Sequence, residues 1–326
     1  MATLKDIAAA CGTSIATVSY VLSGLGDERR ISAAMQKRVV KAAEELGYDL
    51  AAKSRKNRRP AIAVYWPQRN MDSMMPAFIS GLNTALGMAP ISADVFIHPY
   101  EPGHLAEQST LWMPGRIGAS VIVSASCEDM ETLRQHKTTF PAVLINRTVE
   151  GYPSVSVDEV KAGQLAVEYA LEHAPESTSL VLPSSWIPGV QYRSRSVQET
   201  VQRCGLTPQD TYSCGIEIDD GYALGQKILL EGKLTRAIIC VYDTMAIGMA
   251  QALKDGGYMP GRDVELITLS MSINGTNSSL YKNLTVVDLR QAEISIRAIN
   301  MAIELATHAG IDERQITVHP ALIPHR

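Results

Sequence analysis

Apolar positions recur at helical spacing through the first fifty residues and in short runs beyond them. Leu4, Ile7, Ala8 and Cys11 stand at i, i+3, i+4 and i+7, one buried stripe of a helix that Thr3 can cap while Asp6 reaches back to it. Gly12 breaks that helix. Ser14 caps a second, which buries Val18, Val21 and Leu22 and turns Ile15, Ala16, Thr17, Ser19 and Tyr20 outward. Ser32 caps a third, with Met35, Val39, Ala42 and Leu46 as its buried face. Two short helices about a glycine turn, the second with a small and polar outer face, match a helix-turn-helix. The pattern alone fits an ordinary helical hairpin as well.

From Ile62 the texture changes to alternating strands and helices. Apolar runs predict strands at 62–66, 93–98, 120–124, 142–146, 179–183, 237–241 and 264–269. Amphipathic patterns predict helices at 78–88, 128–136, 160–173, 194–204, 222–231 and 245–254. Such alternation implies α/β architecture with doubly wound parallel sheets. The strand count exceeds one ordinary sheet, so two subdomains are expected. Ligands of such folds sit at the carboxyl ends of the strands, here in the cleft between the sheets.

Charge sharpens this division. The net charge of −4 does not by itself suggest nucleic acid, but residues 1–60 carry 11 Lys and Arg against 6 Asp and Glu. A basic head on an acidic body is the electrostatic footprint of a chain whose head alone touches phosphates. Lys53, Arg55, Lys56, Arg58 and Arg59 crowd the linker that Pro60 closes. Such a run is usually a solvated tether; beside a helix-turn-helix, tracking phosphates is the better reading.

Composition excludes other classes. Hydrophobic residues make up 46% of the chain, enough for packed cores. No apolar run reaches the length of a membrane span, and the start lacks the apolar centre of a signal peptide, so a cytoplasmic protein is expected. Cys11, Cys127, Cys204, Cys214 and Cys240 show no paired spacing, which argues against a disulfide framework or a zinc site. No glycine-rich phosphate loop, H-E-x-x-H or G-x-S-x-G is present. Asp219-Asp220 suits the start of a helix better than a catalytic carboxylate pair. No cofactor, metal or catalytic residue is expected, and the chain reads as non-enzymatic.

The segment Thr3 to Ser23 closely resembles the N-terminus of lactose-repressor/galactose-repressor family transcription factors, and Glu44-Glu45-Leu46-Gly47-Tyr48 resembles that family's E-E-L-G-Y. The resemblance continues more thinly through Phe140–Arg147, Ser156–Asp158, Arg193 with Ser196 and Gly205, Tyr242–Gly248 and Asn283–Thr285. It implies a helix-turn-helix head at 1–50, a basic hinge at 51–60, and an effector-binding and dimerising body at 61–326 that folds like a periplasmic sugar-binding protein. Within that body the subdomains would be about 61–158 with 290–317, and about 159–289 with 318–326, the chain crossing near Asp158, Leu289 and Val318. The implied partners are a double-stranded operator, a carbohydrate-like small effector and a second copy of the chain, with no membrane. After the last strand no heptad tail of the kind that builds tetramers is expected.

The departures bear on specificity. By resemblance, Thr3, Leu4, Ser14, Ile15, Ala16, Thr17, Ser19, Tyr20, Ser23, Tyr48, Lys53, Arg55 and Lys56 are the DNA-contacting candidates. Tyr20 stands where the family has a guanine-reading arginine, and Ile15 and Ala16 suit thymine methyl groups. The hinge lacks the family's proline and asparagine, has Asn57 in place of the minor-groove leucine, and is about three residues short; Leu50 lies too early to replace the wedge. The effector candidates are Trp66, Asp72, Met75, Asn146, Arg193, Tyr242, Asp243 and Ser270. Here Asp72-Ser-Met-Met75 replaces N-P-F-F in the loop after the first strand, Tyr242 replaces an asparagine, and Ser270 replaces an acid. Trp66 or Trp186 can supply a stacking face, though a lone tryptophan is more often core. Arg193 binds a hydroxyl-rich or anionic ligand, or pairs with an acidic neighbour.

Together these readings point to a sequence-specific DNA-binding transcriptional regulator, a repressor by preference. It is expected to act as a dimer on a near-palindromic operator under a small polar effector. The alternative keeps the DNA-binding role and gives the body to a protein partner or to no effector. Solute capture for transport has no use for a basic helix-turn-helix.

Overall fold

The computed structural model describes residues 3–22, 26, 29–46, 59–68, 71–89, 92–112, 117–184, 188–271, 279–307 and 314–325. The chain divides into two units, 1–60 and 61–326.

Among the described residues the first unit shows three helices, α1 (Leu4–Cys11), α2 (Ile15–Leu22) and α3 (Ala33–Glu45). Thr3 and Asp6 form a reciprocal capping box at the start of α1, and Gly12 ends it in the left-handed conformation at φ 57°. Ser14 Oγ accepts from the Thr17 backbone N–H at 3.0 Å and so caps α2. Ile7, Ala8, Cys11, Val18, Val21, Val39 and Ala43 make the core. Arg38 on α3 donates to the Cys11 carbonyl at 2.5 Å, satisfying the last turn of α1. One expectation is corrected here. Leu46 is exposed, because α3 ends at Glu45, and Ala43 takes its place in the core while Met35 and Ala42 pack at the margin.

The second unit runs β1 (Ala61–Pro67), α4 (Met71–Met88), β2 (Asp94–Tyr100), α5 (Ser109–Trp112), β3 (Ile117–Val123), α6 (Cys127–Gln135), β4 (Ala142–Ile145) and β5 (Ser154–Val157). It continues with α7 (Glu159–His173), β6 (Thr178–Pro183), α8 (Pro188–Cys204), β7 (Asp210–Cys214), α9 (Ile218–Leu230), β8 (Ala237–Cys240), α10 (Asp243–Asp255) and β9 (Glu265–Ser270). The last elements are β10 (Thr285–Asp288), α11 (Gln291–Thr307), β11 (Gln315–Val318) and β12 (Ala321–Ile323).

Among the described residues two six-stranded sheets result, in the orders β2-β1-β3-β4-β5-β11 and β7-β6-β8-β9-β10-β12. All pairings are parallel except β10 with β12. Each sheet has the same doubly wound order, which reverses between β1 and β3 and again between β6 and β8. The carboxyl ends at such a switch point are where ligands bind. The chain passes from the first sheet to the second after β5, returns after β10, and crosses a third time between β11 and β12. An apolar core spans both sheets, from Ile62, Val121 and Ile145 of the first to Ile239, Ile267 and Val287 of the second, with further clusters around Ile238 and Leu266 and around Tyr65 and Leu144.

The α/β class stands as predicted, while details shift. The segment 72–75, expected as a loop, belongs to α4, which begins seven residues before the predicted helix and accommodates Pro76 in its second turn. The strands β5, β7, β10 and β11 and the helices α5 and α11 are additional to the predicted elements. β5 and β11 are short and partly polar; β11 becomes a strand by pairing with β5 through Ser154–Gln315 to Val157–Val318, and β5 also pairs with β4 at Leu144–Ser154 and Ile145–Val155.

Candidate functional site

In the head, α2 presents the outward surface. Val18 and Val21 are buried, whereas Ile15 and Tyr20 are 48% and 37% exposed and Ala16 is also exposed. The Ser14 and Thr17 hydroxyls lie 2.9 Å apart, so both serve the cap of α2. Thr3 is engaged likewise, its hydroxyl and backbone N–H both donating to Asp6 at 2.7 Å. These bonds hold the Asp6 carboxyl below its ordinary pKa. Leu4 and Ser19 are half-exposed. Arg29, from the segment between α2 and α3, lies with its guanidinium carbon 4.9 Å from the centroid of the Tyr20 ring. Ser23, Tyr48, Lys53, Arg55 and Lys56 lie outside the described residues.

In the body, the candidate side chains gather at the carboxyl ends of strands. Trp66 is the last residue but one of β1, Asn146 follows β4, Tyr242 and Asp243 follow β8, and Ser270 closes β9. Arg193 lies on α8, two turns or less beyond its start. Non-glycine left-handed residues cluster there too: Ser124 (φ 47°) after β3, Asn146 (φ 58°) after β4, and Arg290 (φ 59°) after β10. Backbone held in this sparsely populated region is commonly found at functional sites.

Close approaches of helices set the geometry. A Cβ on Gly163 of α7 would stand 2.7 Å from Ser196 Oγ, so glycine lets α7 and α8 meet. Ser196 Oγ donates to the Glu159 carbonyl at 2.6 Å. That packing aligns Arg193 with Glu159: Nε and Nη2 donate to the two carboxylate oxygens at 3.2 and 3.1 Å. Burial disfavours the Arg193 charge, but the Glu159 carboxylate and its hydrogen bonds, with Tyr242 and Asp243 adding, hold the guanidinium above its ordinary pKa. Gly248 of α10 lies against the Ile218 carbonyl and Gly221 of α9 against that of Met245, which seats the start of α10.

Asp243 is buried and accepts from Ser270 Oγ at 2.6 Å and from the Tyr281 hydroxyl at 2.9 Å, both on Oδ2. Asn146 Nδ2 donates to Gln291 Oε1 at 3.3 Å, and its Oδ1 accepts from the Val157 N–H at 3.4 Å. Beside it, buried Arg147 donates to the Ala125 carbonyl at 2.7 Å and to that of Asn146 at 2.5 Å. Desolvation lowers the Arg147 pKa, opposed by the fields of Tyr192, Cys127 and Glu159. Arg147 of the first sheet thus shares its electrostatic environment with Glu159 and Tyr192 of the helices on the second.

Two candidates are placed otherwise than expected. Trp66 is fully buried edge-on against Phe78, with ring centroids 4.8 Å apart, so its indole is core and offers no open stacking face. Its ring nitrogen has no hydrogen-bond partner among the described residues. Met75 is half-buried against the same core. The Asp72 side chain and Trp186 lie outside the described residues. Sequence reasoning missed Arg147, Glu159, Tyr281 and Gln291. Glu159 directly follows Val157-Asp158 and Arg147 ends the Phe140–Arg147 segment, so those two carried a signal; Tyr281 and Gln291 carried none.

Residues 3–49 match the family described as bacterial regulatory proteins, lacI family, and residues 167–326 match the periplasmic binding protein-like domain. The chain is 22% identical to the HTH-type transcriptional repressor PurR of Pasteurella multocida, over 99% of this chain and 97% of that protein. It is 23% identical to the repressor MelR of Bacillus subtilis, over 93% and 91%. Among solved structures, a LacI family transcription regulator from Clostridium acetobutylicum has a TM-score of 0.75 at 22% identity, covering 82% of this chain and all of that one. The lac repressor dimer bound to operator and the anti-inducer ONPF has a TM-score of 0.67 at 17% identity, covering 99% and 97%. A complex of the regulator CelR with cellobiose has a TM-score of 0.64 at 18% identity, covering 99% and 98%. These structural likenesses concern the fold.

Proposed function

Because this chain belongs to the lacI family of bacterial regulatory proteins, we propose that it represses transcription as a homodimer on a near-palindromic operator, under a small polar effector bound by the body. It works in the cytoplasm and without catalysis. The observation that carries the reading is the outward face of α2, where Ile15, Ala16 and Tyr20 stand exposed over a core of Val18 and Val21. One short helix reads only a half-site, so two heads about one helical turn apart are needed for specificity. The likeness to a lac repressor dimer on its operator supports that assembly.

For the effector, a carbohydrate is the first choice. It would meet Asn146, Tyr242, Asp243 and Ser270, which stand at the strand ends where doubly wound folds bind ligands, and Arg193 of α8. A second reading, a body answering to a protein partner or to no effector, is favoured by one feature. Arg193 is taken up by Glu159, Asp243 by Ser270 and Tyr281, and Asn146 by Gln291. A ligand must displace or share these bonds.

Selection of genomic fragments by the purified protein, followed by sequencing, tests the DNA reading; a two-fold symmetric motif is expected, and no enrichment overturns it. Calorimetric titration with ribose, cellobiose and related sugars tests the effector. Saturable heat that changes operator affinity supports the first reading, and its absence across the panel favours the second.

A further inference from the structure

Tyr20 leaves α2 without the planar, multiply donating group that reads guanine, yet a guanidinium lies on its ring. Arg29 sits 4.9 Å from the Tyr20 centroid, and both residues are exposed. The placement is built. The Ile31 N–H donates to the Gly26 carbonyl at 2.9 Å and closes the turn that holds Arg29 and Arg30. Arg30 takes the left-handed conformation at φ 55°. Gln36 of α3 braces the turn by donating to the Ile31 carbonyl at 2.8 Å. Buried Gly26 admits Gln36 where a Cβ would stand 2.5 Å from its side-chain carbon. A guanidinium stacked on an aromatic face keeps its in-plane N–H groups directed outward, ready for a bidentate acceptor pair.

We propose that Arg29, carried on the Tyr20 ring, reads a guanine in the operator half-site, restoring from the α2–α3 turn the contact that the helix itself lacks. The inference rests on the DNA-binding function proposed above. Guanine O6 and N7 are the acceptors such a fork pairs with in the major groove. Tyr20 is then a positioning residue for Arg29. A phosphate contact would instead need only the charge, which lysine also supplies.

The test is selected-site sequencing and salt-dependent affinity of the full-length protein and of R29A, R29K, Y20F and Y20A. Both Arg29 variants are expected to lose preference for guanine at one symmetric position, by roughly 5- to 150-fold, the range of a good bidentate contact. R29K should lose it with the salt slope unchanged. Y20F should keep the preference, since the ring remains, and Y20A should lose it. Three results overturn the inference alone: an unchanged profile in R29A, uniform weakening of all sequences with the slope of log affinity against log salt reduced by about 0.9, or full rescue by R29K. A wild-type protein that selects no sequence overturns the DNA reading itself, and the inference with it.

Discussion

Arg193 and Glu159 form a bidentate ion pair with the arginine side chain only 3% exposed and the carboxylate 24% exposed. Removing one member of such a pair strands the other's charge. Arg193→Ala is therefore expected to destabilise the protein by about 3–5 kcal/mol, measured by urea denaturation. Replacing both, as Glu159→Gln with Arg193→Met, should recover most of that loss. A single substitution with no effect on the midpoint would mean that the pair is solvated.

Asp243 anchors two hydroxyls on one carboxylate oxygen. Asp243→Ala leaves the Ser270 and Tyr281 hydroxyls without that acceptor, and a loss of about 1–3 kcal/mol is expected. Tyr281→Phe removes donor and demand together and should cost less. Equal losses in the two variants would place the cost elsewhere.

The α10 start depends on Gly248, whose Cα faces the Ile218 carbonyl and the Tyr222 N–H. Gly248→Ala forces α9 and α10 apart, and overpacking of this kind costs about 1–3 kcal/mol. Thermal unfolding should show the drop, whereas Gly87→Ala, with open space about its Cα, should be neutral or stabilising.

The capping box of α1 makes the head acid-sensitive. Asp6 has a folded pKa below its ordinary value of 3.8 because it accepts from Thr3. The stabilisation is fully present above 3.8 and is lost as pH falls through the lower folded value. Hydrogen exchange of a peptide spanning α1 should accelerate over that window, beyond the ordinary pH dependence of exchange, and Asp6→Asn should abolish the excess. Thr3→Ala should weaken α1 at neutral pH by about 0.5–2 kcal/mol.

The basic linker is expected to hold phosphates in place of a leucine wedge. Replacing Lys53, Arg55 and Lys56 with glutamine should flatten the salt slope of DNA binding by roughly 2–3 units and weaken all sequences similarly. An unchanged slope would make the run a tether. A strongly bent operator in circular-permutation gels, straightened by Leu50→Ala, would instead locate a displaced wedge.

Much of this molecule is legible along the chain because the deciding interactions are local. Thr3, Asp6 and Gly12 bound α1 through bonds spanning three or four residues, and the Ile7–Cys11 stripe needs only helical spacing. The runs that became β1, β3, β4, β6 and β8 are apolar enough to declare buried strands. The helix α11 was not predicted, although Ile294, Ala298, Met301 and Leu305 follow helical spacing and carried the signal for it. Strands β5 and β11 were not legible, because Ser154 and Val155 gain strand character from β4 and β11, and Gln315 from β5 across some 160 residues.

The sequence by itself therefore determined the α/β class, the helix-turn-helix and the charge contrast between head and body, each set by spacing or composition. Only the tertiary structure decided the company each functional side chain keeps. Glu159 meets Arg193 across 34 residues, Tyr281 meets Asp243 across 38, and Gln291 meets Asn146 across 145. Trp66 became core through Phe78 and the sheet around it. Pairings of this kind arise from helix packing and strand order, and residue spacing carries no record of them until the chain has closed on itself.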